Sequence, residues 1–372
     1  MAEPQKSQVQ QLDPNMRLEE KETDGIRWYS PKEAPFQLAG FPWLEQEGLY
    51  RRLPAKPSHP IRTPVDQLAD CTSGGQVRFR TNSGKLFVKV VLTGSGSMYH
   101  MPATGQCGFD CYIGEIGAMK YVSTTRFDHT LTEYTAPLFD WPSLSGESRP
   151  ITLNFPLYTG VKELYIGLMA DASLEAPTSY ASDKKIIVYG TSITQGGCAN
   201  RPGMSYTNIL SRRIPYEFIN VGFSGNGLGE PELAHILSEI ERPALLVLDY
   251  EANVGAAENL QRTLPEFIRI YRERHADVPI LVCSRILYAR DRFEPELAAL
   301  CDIRRSIAQE TVASLQEAGD RRIEFFDGGT LLGNDYDECT VDGVHPTDLG
   351  FQRMADGLEP AFRRMLETGK EG

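Results

Sequence analysis

The chain has 372 residues, 41% of them hydrophobic, and 38 Lys and Arg against 50 Asp and Glu give a net charge of −12. That length accommodates two domains with separate cores. The acidic balance argues against a nucleic-acid partner, because basic residues cluster no further than doublets such as Arg212-Arg213 and Arg304-Arg305.

No stretch approaches the ~18 consecutive apolar residues of a membrane span, so no membrane partner is expected. The polar opening Met-Ala-Glu-Pro-Gln-Lys-Ser-Gln lacks the apolar core of a signal peptide. A cytoplasmic location is therefore the expectation, although a chain trimmed of its leader would read the same way. The seven cysteines are odd in number and scattered, and Cys107 and Cys111 have no nearby His to complete a metal set. Reduced structural thiols are expected.

After a polar tail over 1–24, residues 25–175 read as β. Alternating runs at Gln76–Arg80, Lys85–Leu92, Cys107–Ile113, Arg149–Phe155 and Glu163–Leu168 are separated by Gly, Pro, Ser and Asn turns. Short strands with no helical pattern between them predict an antiparallel, all-β sandwich of jelly-roll-like type. An Ala- and Ser-rich linker over 176–183 follows.

From Lys184 the period changes. Apolar runs at Ile186–Tyr189, Phe218–Val221, Ala244–Tyr250, Pro279–Cys283 and Ile323–Phe326 alternate with helical patterns near 203–213, 230–241, 256–274, 293–318 and 348–368. This alternation predicts a three-layer α/β domain over 184–372, with a parallel sheet covered on both faces and its site at the carboxyl ends of the strands.

Five residues at such ends form a serine-esterase set. Ser192, in Gly190-Thr-Ser-Ile-Thr-Gln-Gly196, stands where the first strand turns into a helix, which suits a nucleophile whose own N–H faces an oxyanion. The same position also suits a helix N-cap. Gly225, in Asn220-Val-Gly-Phe-Ser-Gly-Asn-Gly-Leu-Gly, lets the backbone approach a ligand and donate its N–H, and a plain turn explains the neighbouring glycines. Asn253 offers a side-chain amide as the further oxyanion donor, or simply fills a turn.

Asp342-Gly-Val-His345 supplies the base and its orienting carboxylate at a spacing a loop can close. The other histidines of this half, His235 and His275, fall on predicted helices and are expected on solvated faces. The segment Gly190–Gly196 carries no phosphate-loop lysine, which excludes a P-loop nucleotide site.

With Ser192, Gly225, Asn253, Asp342 and His345 in this order, the second half resembles the SGNH (GDSL-type) hydrolase superfamily, whose blocks carry Ser, Gly, Asn and Asp-x-x-His. The resemblance implies a flavodoxin-like α/β/α domain, a Ser192–His345–Asp342 triad, an oxyanion hole from Ser192, Gly225 and Asn253, no metal and no cofactor. Two departures stand out: Thr191 replaces the Asp of the first block, and Glu251-Ala-Asn-Val replaces Gly-x-Asn-Asp. Glu251 is expected to narrow or charge the mouth of the site.

The first half resembles, through Gly48-Leu-Tyr-Arg-Arg-Leu-Pro and Phe155-Pro-Leu-Tyr-Thr-Gly-Val, the β-sandwich that precedes the catalytic domain in a bacterial subgroup of SGNH esterases and acyltransferases. There the sandwich helps to wall the active site, which makes Trp28, Tyr29, Trp43 and Trp141 candidate substrate contacts. The expected activity is removal of acyl groups, acetyl first among them, from a small-molecule or glycan ester. Acyl transfer by the same residues, or a non-catalytic carbohydrate-binding role, are the alternatives. An oligomer is compatible with the sequence.

Overall fold

The computed structural model describes Asp13, Leu18 and residues 23–141 and 146–369, so most of the polar tail over 1–24 lies outside the described residues. The first half contains strands β1 (Ile26–Tyr29), β2 (Gln37–Ala39), β3 (Gln76–Thr81), β4 (Lys85–Leu92), β5 (Asp110–Ile113), β6 (Lys120–Thr124), β7 (Glu133–Asp140), β8 (Arg149–Asn154), β9 (Val161–Met169) and β10 (Leu174–Glu175). They form two antiparallel sheets, ordered β1-β9-β4-β7 and β10-β3-β8-β5-β6, with β2 on β3. Their inner faces close a core that includes Val77, Phe79, Val88, Val90, Phe109, Leu153 and Ile166. Strands β3 and β4 alternate apolar residues toward that core, which is why they are visible in the sequence.

Among the described residues, three short α-helices interrupt the sandwich half: α1 (Leu44–Glu47), α2 (Thr63–Ala69) and α3 (Ala103–Gln106). The antiparallel sandwich expected for this half is present, and these short helices add to it. At 4, 7 and 4 residues they are too short to show a helical period. They matter because the segment carrying α2 leaves the sandwich. Leu53, Val65 and Ala69 are buried in the core of the second half, and Trp43 packs against it.

The second half is built from β11 (Lys185–Gly190), α4 (Ser192–Gln195), α5 (Tyr206–Ser211), β12 (Glu217–Gly222), α6 (Pro231–Ser238), β13 (Pro243–Asp249), α7 (Ala257–Arg274), β14 (Ile280–Cys283), α8 (Pro295–Glu317), β15 (Ile323–Phe326) and α9 (Asp348–Thr368). The five strands are parallel in the order β12-β11-β13-β14-β15, the flavodoxin-like 2-1-3-4-5 arrangement. Side chains alternate along each strand. Ile187, Tyr189, Val221, Leu246 and Leu248 face one core with α6, α7 and α8, whereas Ile186, Val188, Leu245, Val247 and Leu281 face the other with α5 and α9. Burial on both faces accounts for the unbroken apolar runs.

The two halves are joined by buried polar contacts as well as apolar ones. Arg52 is fully buried and donates from Nε to Cys71 O at 2.7 Å and from its guanidinium to Gly222 O at 2.5 Å and Leu68 O at 2.5 Å. Burial pushes its pKa down to about 10. Asp110 in β5 accepts from Gly203 N at 2.7 Å and pairs with Arg201 at 2.9 Å. Ser73 Oγ donates to Gln195 O at 2.7 Å, directly beneath α4.

Candidate active site

The end of β11 is shaped for close approach. A Cβ on Gly190 would stand 2.0 Å from Thr194 Oγ1 and 2.6 Å from Asp249 O, so only glycine fits. The chain then turns at Thr191, whose Oγ1 accepts from Ile193 N at 3.3 Å in a capping box with Thr194. Threonine therefore does the capping that the family's Asp can do, and the departure at this position costs the turn nothing. Ser192 is the first residue of α4 and is 7% exposed. An N–H at that helical position has no intrahelical acceptor.

Ser192 Oγ lies 2.9 Å from His345 Nε2, and His345 Nδ1 lies 2.8 Å from Asp342 Oδ2. The other oxygen, Asp342 Oδ1, accepts from His345 N at 2.8 Å and Val344 N at 3.0 Å. The three-residue spacing thus closes a loop in which one carboxylate holds both the backbone and the ring of the same histidine. Partial burial raises the Asp342 pKa, but the hydrogen bonds from the His345 amide and ring outweigh it and leave the carboxyl below its usual range.

Gly225 adopts φ +67° with open space where a Cβ would stand, in a turn closed by Asn226 N donating to Phe223 O at 2.9 Å. Arg62, from the first half, anchors that turn: it donates to Asn226 Oδ1 at 2.8 Å, Asn226 O at 3.0 Å and Glu230 Oε1 at 2.6 Å. Asn253 ends a 3-10 turn after β13, and its Oδ1 accepts from Gly227 N at 3.4 Å. This contact fixes the side chain with its carbonyl toward the Gly225 loop and leaves Nδ2 as the donor end.

Beneath α4, Asp249 accepts from Thr194 Oγ1 at 2.9 Å and Tyr206 Oη at 2.7 Å. Burial pushes its pKa up to about 6 against these two hydrogen bonds. The turn carrying Ser192 is thereby tied to an ionisable group that the sequence did not single out.

Several expectations are corrected. Glu251 does not stand at the mouth: it is 3% exposed, and Oε2 accepts from Arg285 N at 2.7 Å in the interior. Burial raises its pKa, opposed by the Arg285 amide and by the charges of Arg285 and Arg304. His235 stacks on His59 from the first half with centroids 4.3 Å apart, and His275 Nε2 lies 2.7 Å from Ser238 O, so neither sits on a freely solvated face.

The four aromatic candidates also have other partners. Trp28 lies on β1 against Gly167, Tyr29 against Phe36, Trp43 against the α/β core, and Trp141 stacks on Phe139. The first-half residues that do reach the site are others. His100 Nε2 lies 3.8 Å from Asp342 Oδ2, its ring meets that of His345 edge to face, and the exposed Tyr99 stacks on it. Tyr158 Oη donates to Ser192 O at 3.3 Å. Met98-Tyr-His-Met101 is visible in the sequence as an aromatic and soft loop, but nothing in it tells which surface it touches.

Comparison with known proteins agrees with this architecture. Residues 183–363 match the GDSL-like lipase/acylhydrolase family, and residues 26–174 match the N-terminus of the SGNH-hydrolase-type esterases. The chain belongs to the two-domain SGNH group and is an SGNH-type esterase.

Among solved structures, a Bacteroides ovatus protein described as a GDSL-like lipase is 29% identical, with a TM-score of 0.82 over 92% of this chain and 98% of its own. The salicylyl-acyltransferase SsfX3 of a tetracycline biosynthetic pathway shares the fold at 19% identity and a TM-score of 0.73, again over 92% and 98% of the two chains. A family two carbohydrate esterase from Cellvibrio japonicus does so at 15% and 0.59, with the same coverage. No curated protein matches the chain.

Proposed function

We propose that the protein removes acyl groups, acetyl first among them, from a polar and carbohydrate-like alcohol through an acyl-enzyme on Ser192. The observation that carries this reading is the continuous relay Ser192 Oγ–His345 Nε2 at 2.9 Å and His345 Nδ1–Asp342 Oδ2 at 2.8 Å. In this mechanism His345 Nε2 takes the Ser192 proton as Oγ attacks the ester carbonyl, while Asp342 fixes the tautomer and stabilises the imidazolium. The Ser192 and Gly225 amides and Asn253 Nδ2 receive the negative charge on the tetrahedral oxygen. Collapse returns the proton to the leaving alkoxide, and water attacks the acyl-Ser192 ester by the same route in reverse.

A carbohydrate carrier is supported by the fold neighbours that are named carbohydrate esterases, one of them bound to cellohexaose. The exposed ring of Tyr99 beside His100 also offers a stacking surface at the edge of the site. Acyl transfer is a second reading, favoured by the fold shared with SsfX3; it differs only in which nucleophile reaches the acyl-enzyme.

The test is a panel of p-nitrophenyl esters from acetate to octanoate and acetylated sugars, with product analysis in the presence of acceptor alcohols. Short-chain and sugar acetates should lead the panel. Turnover confined to long acyl chains would refute the substrate class, and partition to the alcohol in place of water would select the transferase.

A further inference from the structure

Beside the relay lie two donors that acyl chemistry does not use, within reach of one that it does. His100 from the sandwich half, Cys198 from the loop after α4, and His345 each present one ligand atom within 4.8 Å of the others. His100 Nδ1 is buried with no hydrogen-bond partner among the described residues. Cys198 is buried at φ +73°, a backbone region that non-glycine residues rarely adopt, and this holds its side chain at the place where the three loops meet. Two imidazoles and a thiol make a soft donor set, suited to Zn²⁺ or Cd²⁺ and poorly suited to Mg²⁺ or Ca²⁺.

We propose that His100, Cys198 and His345 bind a soft divalent cation, with Zn²⁺ as the available representative, and that its occupancy switches the esterase off. Tetrahedral zinc with bonds of about 2.0–2.3 Å brings its ligand atoms to roughly 3.3–3.6 Å of one another. The three side chains therefore need to close by about an ångström, within the reach of rotation about their χ angles. Binding forms a metal–thiolate bond and releases the Cys198 proton to solvent, with no change of oxidation state. Both nitrogens of His345 belong to the relay, Nε2 toward Ser192 and Nδ1 toward Asp342. Coordination at either one removes the base. The switching half of this proposal rests on His345 acting as that base, whereas the binding half does not.

The decisive experiment titrates the full chain and its Ser192→Ala variant with Zn²⁺ by calorimetry. It repeats the titration with Cd²⁺, read by thiolate charge-transfer absorbance. One ion per chain is expected in both proteins, with at least tenfold weaker binding in Cys198→Ala, His100→Ala and the milder His100→Gln, and with the Cd²⁺ signal absent from Cys198→Ala. Zn²⁺ should inhibit ester hydrolysis reversibly with a chelator, and Cys198→Ala should remain an active esterase that needs at least tenfold more Zn²⁺ for half-inhibition. Absence of stoichiometric binding, or half-inhibition unchanged in Cys198→Ala and both His100 variants, would overturn the site. Stoichiometric binding without inhibition would overturn the switch and count against His345 as the base.

Discussion

Asp342→Asn is the substitution whose cost the geometry predicts most fully. Asparagine keeps the shape but offers one acceptor and one NH₂ where the carboxylate offers two acceptors. If its oxygen stays on the His345 and Val344 amides, its NH₂ faces His345 Nδ1, forces the proton onto Nε2, and leaves no base for Ser192. If it flips, the correct tautomer returns but two backbone hydrogen bonds are lost. The Asp342 side chain is 23% exposed, so the low end of about 0.5–1.5 kcal/mol per bond applies, about 1–2 kcal/mol in all.

The productive rotamer is then populated to roughly 3–20%, a loss of about 5- to 30-fold. Removing the carboxylate charge from beside the imidazolium adds about 4 kcal/mol at an effective dielectric of 20 and roughly 4 Å between charge centres, about 10³-fold more. The product is a fall in kcat/KM of about 10⁴, the size expected when a triad histidine is left in the wrong tautomer. Initial rates on p-nitrophenyl acetate measure it, with thermal melting as a control for folding. A loss below about tenfold, a thousandth of that expectation, would refute the role given to Asp342.

Asn253→Ala should lower kcat by ~10²-fold or more with little change in KM, because an oxyanion donor acts on the transition state; a change confined to KM would assign Asn253 to ground-state binding. Arg62→Ala, which frees the turn carrying Gly225 without touching the relay, should lower kcat by about tenfold through misplacement of an oxyanion donor, read from steady-state kinetics against wild type.

Asp249 has a raised folded pKa of about 6, so the native state holds its proton more tightly than the unfolded chain. Its effect on stability is least costly at low pH and grows as pH rises from about 4 to about 6, between the unfolded and folded values. Asp249→Asn should flatten that part of the melting-temperature profile, and an unchanged profile would remove the assignment. The fragment 180–372 should be insoluble or inactive, because it loses Leu53, Val65, Ala69 and the buried Arg52 from its own core; a soluble, fully active fragment would show that the first half is dispensable.

What was legible in the sequence follows from where each residue's partners lie. Strands β11 to β14 are buried on both faces and α7 and α9 carry long apolar stripes, so their periods survive without knowledge of neighbours. Ser192 and the Asp342–His345 pair fall at strand ends or within a three-residue loop, where local spacing sets geometry. By contrast, α2 is seven residues long and buries its apolar face against another domain's core, a contact that no local period encodes.

Glu251 reads as a charged loop residue, yet it turns inward because the Arg285 amide and the nearby arginines receive it. His100 is separated from Asp342 by most of the chain and meets it only through the packing of one domain on the other. The structural weight of Thr194, Asp249 and Tyr206 beneath Ser192 likewise depends on β13 lying beside β11.

The most direct test of the account is the identity of the nucleophile. A fluorophosphonate should label the full-length protein once per chain, and peptide mapping by mass spectrometry should place the adduct on Ser192. Labelling should vanish in Ser192→Ala together with ester hydrolysis, and should slow by several orders of magnitude in His345→Ala. An adduct on another residue, or hydrolysis by Ser192→Ala within about tenfold of wild type, far above the residual rate of a hydrolase without its nucleophile, would contradict it.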